Sequence, residues 1–207
     1  MQSKLRRDAK RLKKVEQHFE EIRSGEMIVL LEDECHLLWG DCLGYVWGKR
    51  GAAIEVLMNN ERERQTYYGA VNLHSREFHL KAFSGGNGEN TVAYLHWLMK
   101  IYAGKKLLLL WDAATYHRDA QCTEFLAEVN HGLEEKDWLV TFMRFAPNAP
   151  EQNPVEDIWL AGKNYLRKKF SENKTFAAVK QSFFDFLQDF FLDSIKFDWY
   201  APSTQFS

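Results

Sequence analysis

Only three cysteines occur in 207 residues, Cys35, Cys42 and Cys122, and no two of them have Cys-x-x-Cys spacing. An odd count without such pairs excludes a disulfide framework and a zinc ribbon. Cys35, His36 and Cys42 lie close together in sequence but match no common zinc pattern. Long apolar runs are missing as well: the longest, Ile28 to Leu31 and Leu107 to Trp111, stop far short of a membrane span. No charged-then-apolar leader opens the chain, so a soluble, cytoplasmic protein with no membrane partner is expected. A strong charge of one sign is also absent, since 27 Lys and Arg stand against 29 Asp and Glu for a net charge of -2. That is not the overall basic balance of a dedicated nucleic-acid-binding domain. There is no internal repeat and no low-complexity tract.

What is present is a core. Apolar residues make up 45% of the chain and aromatic residues 14%, with seven Trp and fifteen Phe, enough for one domain of catalytic size with an appendage. The basic charge is local. Residues 1 to 14 carry Lys4, Arg6, Arg7, Lys10, Arg11, Lys13 and Lys14 against Asp8 alone, and Lys163, Arg167, Lys168 and Lys169 form a second group.

Hydrophobic spacing orders the elements. Leu5, Leu12 and Phe19 recur at sevens with Val15 and Ile22 between them, giving one basic helix over residues 4 to 24 that Gly25 ends. It either lies on its own domain or pairs with another helix. Strands follow at Met27 to Glu32, with a second piece at His36 to Trp39, then at Thr66 to Asn72 and Glu77 to Ala82 as a hairpin. A helix over Asn90 to Tyr102 leads to a strand at Lys106 to Trp111, apolar from Leu107 onward, as in a central strand buried on both faces. Asp119 to Val129 reads as a helix, Trp138 to Phe145 as a strand, and Asn153 to Phe170 as a helix entered through a Pro-rich segment. The last helix, Thr175 to Leu192, has Phe on most of its circumference and is either buried in the chain or covers a partner.

Three acids stand where such a sheet delivers chemistry. Asp33 in LLEDECHLLW and Asp112 in LLLLWDAATYH each follow an apolar run of strand length, and Glu156 in FAPNAPEQNPVEDIW falls in the first turn of a helix. Asn153 can cap that helix and Pro154 preset its first turn. Carboxylates gathered from remote positions suit hard divalent cations, which take oxygen ligands, and two such ions serve phosphodiester displacement. Glu34 alternates to the opposite strand face and Asp157 sits about 100° around the helix from Glu156, so both are second choices. Glu32 and Asp41 read as surface acids. Trp159 reads as a core residue. His117, Lys163, Arg167 and Lys168 are candidate DNA contacts, with a helix-entry histidine and a solvated helix face as the alternatives.

These three blocks resemble the signatures of DDE transposases, specifically the mariner-like insertion-sequence branch. In that family the first aspartate lies in an Asp-Glu pair after a strand, the second in an Asp-Asn-Ala type segment, and the third acid in an Asn-Pro-(Ile/Val)-Glu-x-x-Trp segment. The likeness spans residues 27 to 170 and is most specific in the last block. It implies an RNase H-like α/β fold with a mixed five-stranded sheet flanked by helices, its first three strands an antiparallel meander. It implies Asp33, Asp112 and Glu156 as catalytic residues and ligands of Mg²⁺ or Mn²⁺, two ions in all. The implied activity is a transposase or endonuclease that cleaves DNA strands and transfers them during transposition. DNA, as transposon ends and target, is the implied partner, with nucleoid association when bound. Ala113 stands where the family commonly has Asn, and NHGLEEKDW lengthens the stretch between Asp112 and Glu156.

The expected organisation is a basic N-terminal helix at residues 1–25, as linker remnant or interaction helix, and a catalytic domain at 26–207 that includes the Phe-rich C-terminal helix. The residues before Met27 are too few for the helix-turn-helix region that recognises transposon ends in the family. A helix-turn-helix protein from an upstream frame is therefore an expected partner, and a homodimer is a further one. The competing readings are a non-catalytic truncated transposase acting as a dimerising or inhibitory partner, and an RNase H-type nuclease without transposition.

Overall fold

The computed structural model describes residues 17–42, 49, 63–111, 120–144 and 153–192. Helix α1 (Phe19–Arg23) leads into β1 (Met27–Leu38) and a single 3₁₀ turn (Trp39–Cys42). Strands β2 (Arg64–Asn72) and β3 (Phe78–Phe83) form the expected hairpin, followed by α2 (Gly88–Ile101), β4 (Lys106–Trp111), α3 (Ala120–Val129) and β5 (Val140–Arg144). Helices α4 (Pro154–Lys168) and α5 (Phe176–Leu187) complete the order. Residues 4 to 16 of the expected N-terminal helix lie outside the described residues.

The strands make one mixed sheet in the order β3-β2-β1-β4-β5, with β1, β2 and β3 antiparallel and β4 and β5 parallel to β1 and to each other. The meander is as expected. The gap expected within β1 is not there: Asp33 pairs with Gly69, Glu34 with Tyr68 and Cys35 with Tyr67, so one strand runs unbroken through the acidic stretch. Strand β4 pairs β1 from Met27↔Lys106 to Leu31↔Leu110, and among the described residues the last seven of β1 pair with β2 alone.

Strand alternation sorts the core into two layers. Leu31, Cys35 and Leu37 of β1 pack with Val155, Ile158 and Trp159 of α4 and Phe176, Val179, Phe183 and Leu187 of α5. Leu30 on the other face packs with Tyr94, Leu95 and Leu98 of α2 and Phe125 of α3. The Phe-rich helix thus buries one face in its own chain, as its composition allows. It ends earlier than expected, at Leu187, and the chain beyond it returns to the sheet hairpin, where Phe191 bridges Glu77 and the Leu192 N–H donates to the Arg76 carbonyl.

Helices α4 and α5 approach closely because Gly162 lacks a side chain. A Cβ there would stand 2.6 Å from Phe183 Cε2 and 2.9 Å from Leu187 Cδ1. Alanine is favoured over glycine in a helix by about 1 kcal/mol, but overpacking a filled core costs about 1–3 kcal/mol. Gly162→Ala is therefore expected to lower the urea midpoint at unchanged m-value.

At the opposite end of the sheet, Glu21 of α1 accepts hydrogen bonds from Lys106 Nζ at 2.5 Å and from the His18 ring at 2.8 Å. Lys106 also donates to the Lys136 carbonyl at 3.0 Å, joining α1 to β4 and to the segment before β5. Burial alone raises the Glu21 carboxyl pKa, but the hydrogen bonds from Lys106 and His18 and the charges of both outweigh it and hold the group below its ordinary value. A carboxyl lowered in the folded state adds stability that is complete above its unfolded pKa and lost as pH falls through the folded one. Wild type is expected to lose more stability on acidification than Glu21→Gln does, measured as the shift of the urea midpoint in each.

Candidate active site

Asp33 sits in β1, half-buried, on the face that carries α4 and α5. Its cross-strand partner is Gly69, and a Cβ on Gly69 would lie 2.6 Å from the Trp159 ring and 2.5 Å from the Phe78 ring. The bare glycine is a seat into which Trp159 settles, edge-on to Phe78 with centroids 5.3 Å apart. Trp159 is a core residue, 5% exposed, and Glu156 lies three residues before it, in the first turn of α4 and exposed.

The start of α4 is fixed to the strand by one buried side chain. The Asn153 carbonyl oxygen accepts from the Val155 N–H at 3.2 Å, capping the helix, while its amide nitrogen donates to the Glu32 carbonyl at 3.4 Å. Pro154 occupies the first turn, where its missing N–H costs nothing. The residue that begins the helix of Glu156 therefore bonds the residue preceding Asp33. A carboxylate in a helix's first turn is also favoured by the helix dipole.

The register between β1 and β4 adds a third relation. Leu31↔Leu110 is their last pair, and two residues beyond it in sequence come Asp33 on one chain segment and Asp112 on the other. Asp112 and His117 themselves lie outside the described residues. Glu34 has the parity of Leu30, on the face opposite Asp33, as expected.

Glu32 corrects a sequence expectation. It is 1% exposed, not a surface acid, because alternation along a central strand turns it under α2. The Tyr94 and Tyr68 phenols are raised chiefly by burial, Tyr68 to about 12, and the negative charges of Glu32 and Glu34 add to both. Asp41 is likewise partly buried, and its Oδ1 lies 3.4 Å from Lys163 Nζ. Arg167 donates to the Asn164 side chain at 2.8 Å on the exposed surface of α4, and Lys168 is exposed in the last turn of that helix. Cys35 and Cys122 are buried thiols.

Residues 28–177 match the family model described as DDE superfamily endonuclease. The chain belongs to this family. Its fold is RNase H-like. It is similar to the Mos1 transposase paired-end complex with left transposon end, at 13% identity and a TM-score of 0.52, over 83% of this chain and 50% of the other. A Mos1 mariner paired end complex with Mn matches at 13% identity and 0.53 over 83% and 50% of the two chains. A pre-cleavage Mos1 transpososome matches at 10% identity and 0.53 over 90% and 54%. At such identity the likeness is one of fold, and this chain spans about half the length of these three. No curated protein sequence matches it.

The site also depends on a residue that its motifs do not include. Gly69 was signalled by a glycine inside the strand pattern TYYGAVN, a mark of close approach. Adding a methyl group here is expected to push Trp159 off its seat. Gly69→Ala should cost about 1–3 kcal/mol of stability, the usual range for an overpacked core, and a urea titration of the two proteins measures it.

Proposed function

We propose that this domain cleaves DNA strands and joins them to target DNA during transposition, using Asp33, Asp112 and Glu156 to hold divalent cations, Mg²⁺ or Mn²⁺ and two in number. The observation that carries this reading is the bond from Asn153 to the Glu32 carbonyl, which ties the helix of Glu156 to the strand of Asp33. The last β1–β4 pair, Leu31↔Leu110, precedes each of Asp33 and Asp112 by two residues in sequence, which supports it.

The donor chemistry fits such ions. Carboxylate oxygens are the ligands Mg²⁺ and Mn²⁺ take, and Asp33 is half-buried and Glu156 exposed, so both remain within reach of solvent. Among the described residues no three His, Cys, Asp or Glu make a metal-holding group, and the third acid of the proposed set lies outside them. When bound, two divalent ions stabilise both the attacking and the leaving oxygen of an in-line displacement at phosphorus. The protein's part is to fix two carboxylates on rigid elements, a paired strand and a capped helix, and to leave one side of them open for DNA. In the cleavage step water's oxygen bonds to phosphorus as the 3′-oxygen departs with a proton. In strand transfer that 3′-hydroxyl oxygen bonds to a target phosphorus as the target strand's own 3′-oxygen departs with the proton.

His117, Arg167 and Lys168 are the proposed phosphate contacts. A helix-turn-helix protein would choose the transposon ends, a homodimer would bring two ends together, and the work takes place in the cytoplasm on nucleoid DNA. The second reading is that of a non-catalytic partner of a full transposase.

The test is Mg²⁺-dependent cleavage of DNA carrying the element's own ends, with and without the product of an upstream frame. Asp33→Asn, Asp112→Asn and Glu156→Gln are each expected to abolish nicking while circular dichroism stays that of wild type. Unchanged nicking in any one variant removes that residue from the set, and no cleavage by wild type under either condition favours the non-catalytic reading.

A further inference from the structure

The second end of α4 is held as deliberately as its first. Asp41 lies in the 3₁₀ turn that follows β1, where its Oδ2 accepts from the Leu38 N–H at 2.9 Å. Its Oδ1 faces Lys163 Nζ at 3.4 Å, with the side chains only 22% and 27% exposed. Partial burial strengthens such a pair over a fully exposed one. Trp39 of the same turn stacks on Phe176 of α5, with centroids 6.1 Å apart, so the turn is built into the core and makes a firm anchor.

From Asn153 to Lys163 the helix rises about 15 Å, and it is tied to the β1 segment at both places. Between the ties lies Trp159 on its glycine seat. Glu156 is on one side of that seat and Lys163 on the other, so a helix released at Lys163 pivots on Trp159 and carries Glu156 with it. A misplacement on the order of 1 Å is enough to impair catalysis about a hundredfold.

We propose that Lys163 and Asp41 form a strut that sets Glu156 relative to Asp33, making Lys163 a positioning residue and not a phosphate contact. The proposal rests on the metal-nuclease reading above.

Mn²⁺ binding to the full chain without DNA, followed by electron paramagnetic resonance of the free ion, separates the possibilities. Simple charge effects would make Lys163→Met bind Mn²⁺ more tightly and Asp41→Asn more weakly. The strut predicts that both bind more weakly, by about tenfold, the lower end for groups that orient metal ligands. It also predicts that the double variant is no worse than either single one, and that Lys163→Arg stays near wild type. Binding of a short DNA duplex without metal is expected to keep its salt dependence in all of them. A Lys163→Met protein that binds Mn²⁺ as well as or better than wild type overturns the proposal. So does one whose salt slope drops by about one unit, the mark of a lost phosphate contact. Wild type and Glu156→Gln that both fail to bind Mn²⁺ would defeat the nuclease reading instead. The strut is then judged by urea midpoints of the four proteins, which support it if the single effects are non-additive and remove it if they add.

Discussion

A helix can lie flat on a sheet only where the side chains beneath it leave room, and here the room is made at one residue. Gly69 lets Trp159 drop between α4 and β2, directly across the ladder from Asp33. With the ring seated, Asn153 comes within reach of the Glu32 carbonyl, Gly162 brings α5 against the back of α4, and the Phe-rich face of α5 closes the layer. The candidate acids depend on this order of packing. Asp33 and Glu156 are held by backbone elements whose positions the buried Trp determines, and neither relies on a loop.

The two faces of the sheet carry different burdens. The α4 and α5 face holds Asp33, Cys35 and the Asp41–Lys163 pair, and it is there that the family's carboxylate chemistry is proposed. The α2 and α3 face buries Glu32, whose charge adds to the raising of the Tyr68 and Tyr94 phenols. Charge in such a place is expensive unless the surroundings compensate it, and the stretch Glu32-Asp33-Glu34 sets an acidic band across the middle of a largely apolar strand. Alternation alone divides that band, sending its central member to the candidate site and its flanks to the other layer.

Much of this was readable from the chain, because local patterns decide it. The limits of β4 coincide with its apolar run, Asn153-Pro154 cap and start α4 as their chemistry requires, and the hairpin of β2 and β3 follows its turn residues. What escaped reading is non-local. Acidic residues seemed to break β1 in two, but pairing with β2 carries the strand through them. Lys163 looked like one of a row of basic residues, yet its ion-pair partner Asp41 is 122 positions earlier in the chain, a separation no spacing rule spans. Glu32 read as surface by residue type alone, since composition carries no notice of which strand is central. Phe191 read as the end of a helix, whereas it meets Glu77 across the molecule.

Strand β1 extends seven residues past its last pair with β4, as a prong on which the acids begin at once. Side chains on a strand have a period of two, so the position of Asp33 is a matter of phase. One residue inserted between Met27 and Asp33 would invert the prong, turning the acid toward α2 and bringing a glutamate around in its place. Two would restore the face but shift the acid by about 7 Å along the strand. Substitutions in this strand can be absorbed singly, but its length counted from the β4 pairing cannot change by even one residue without moving the acid.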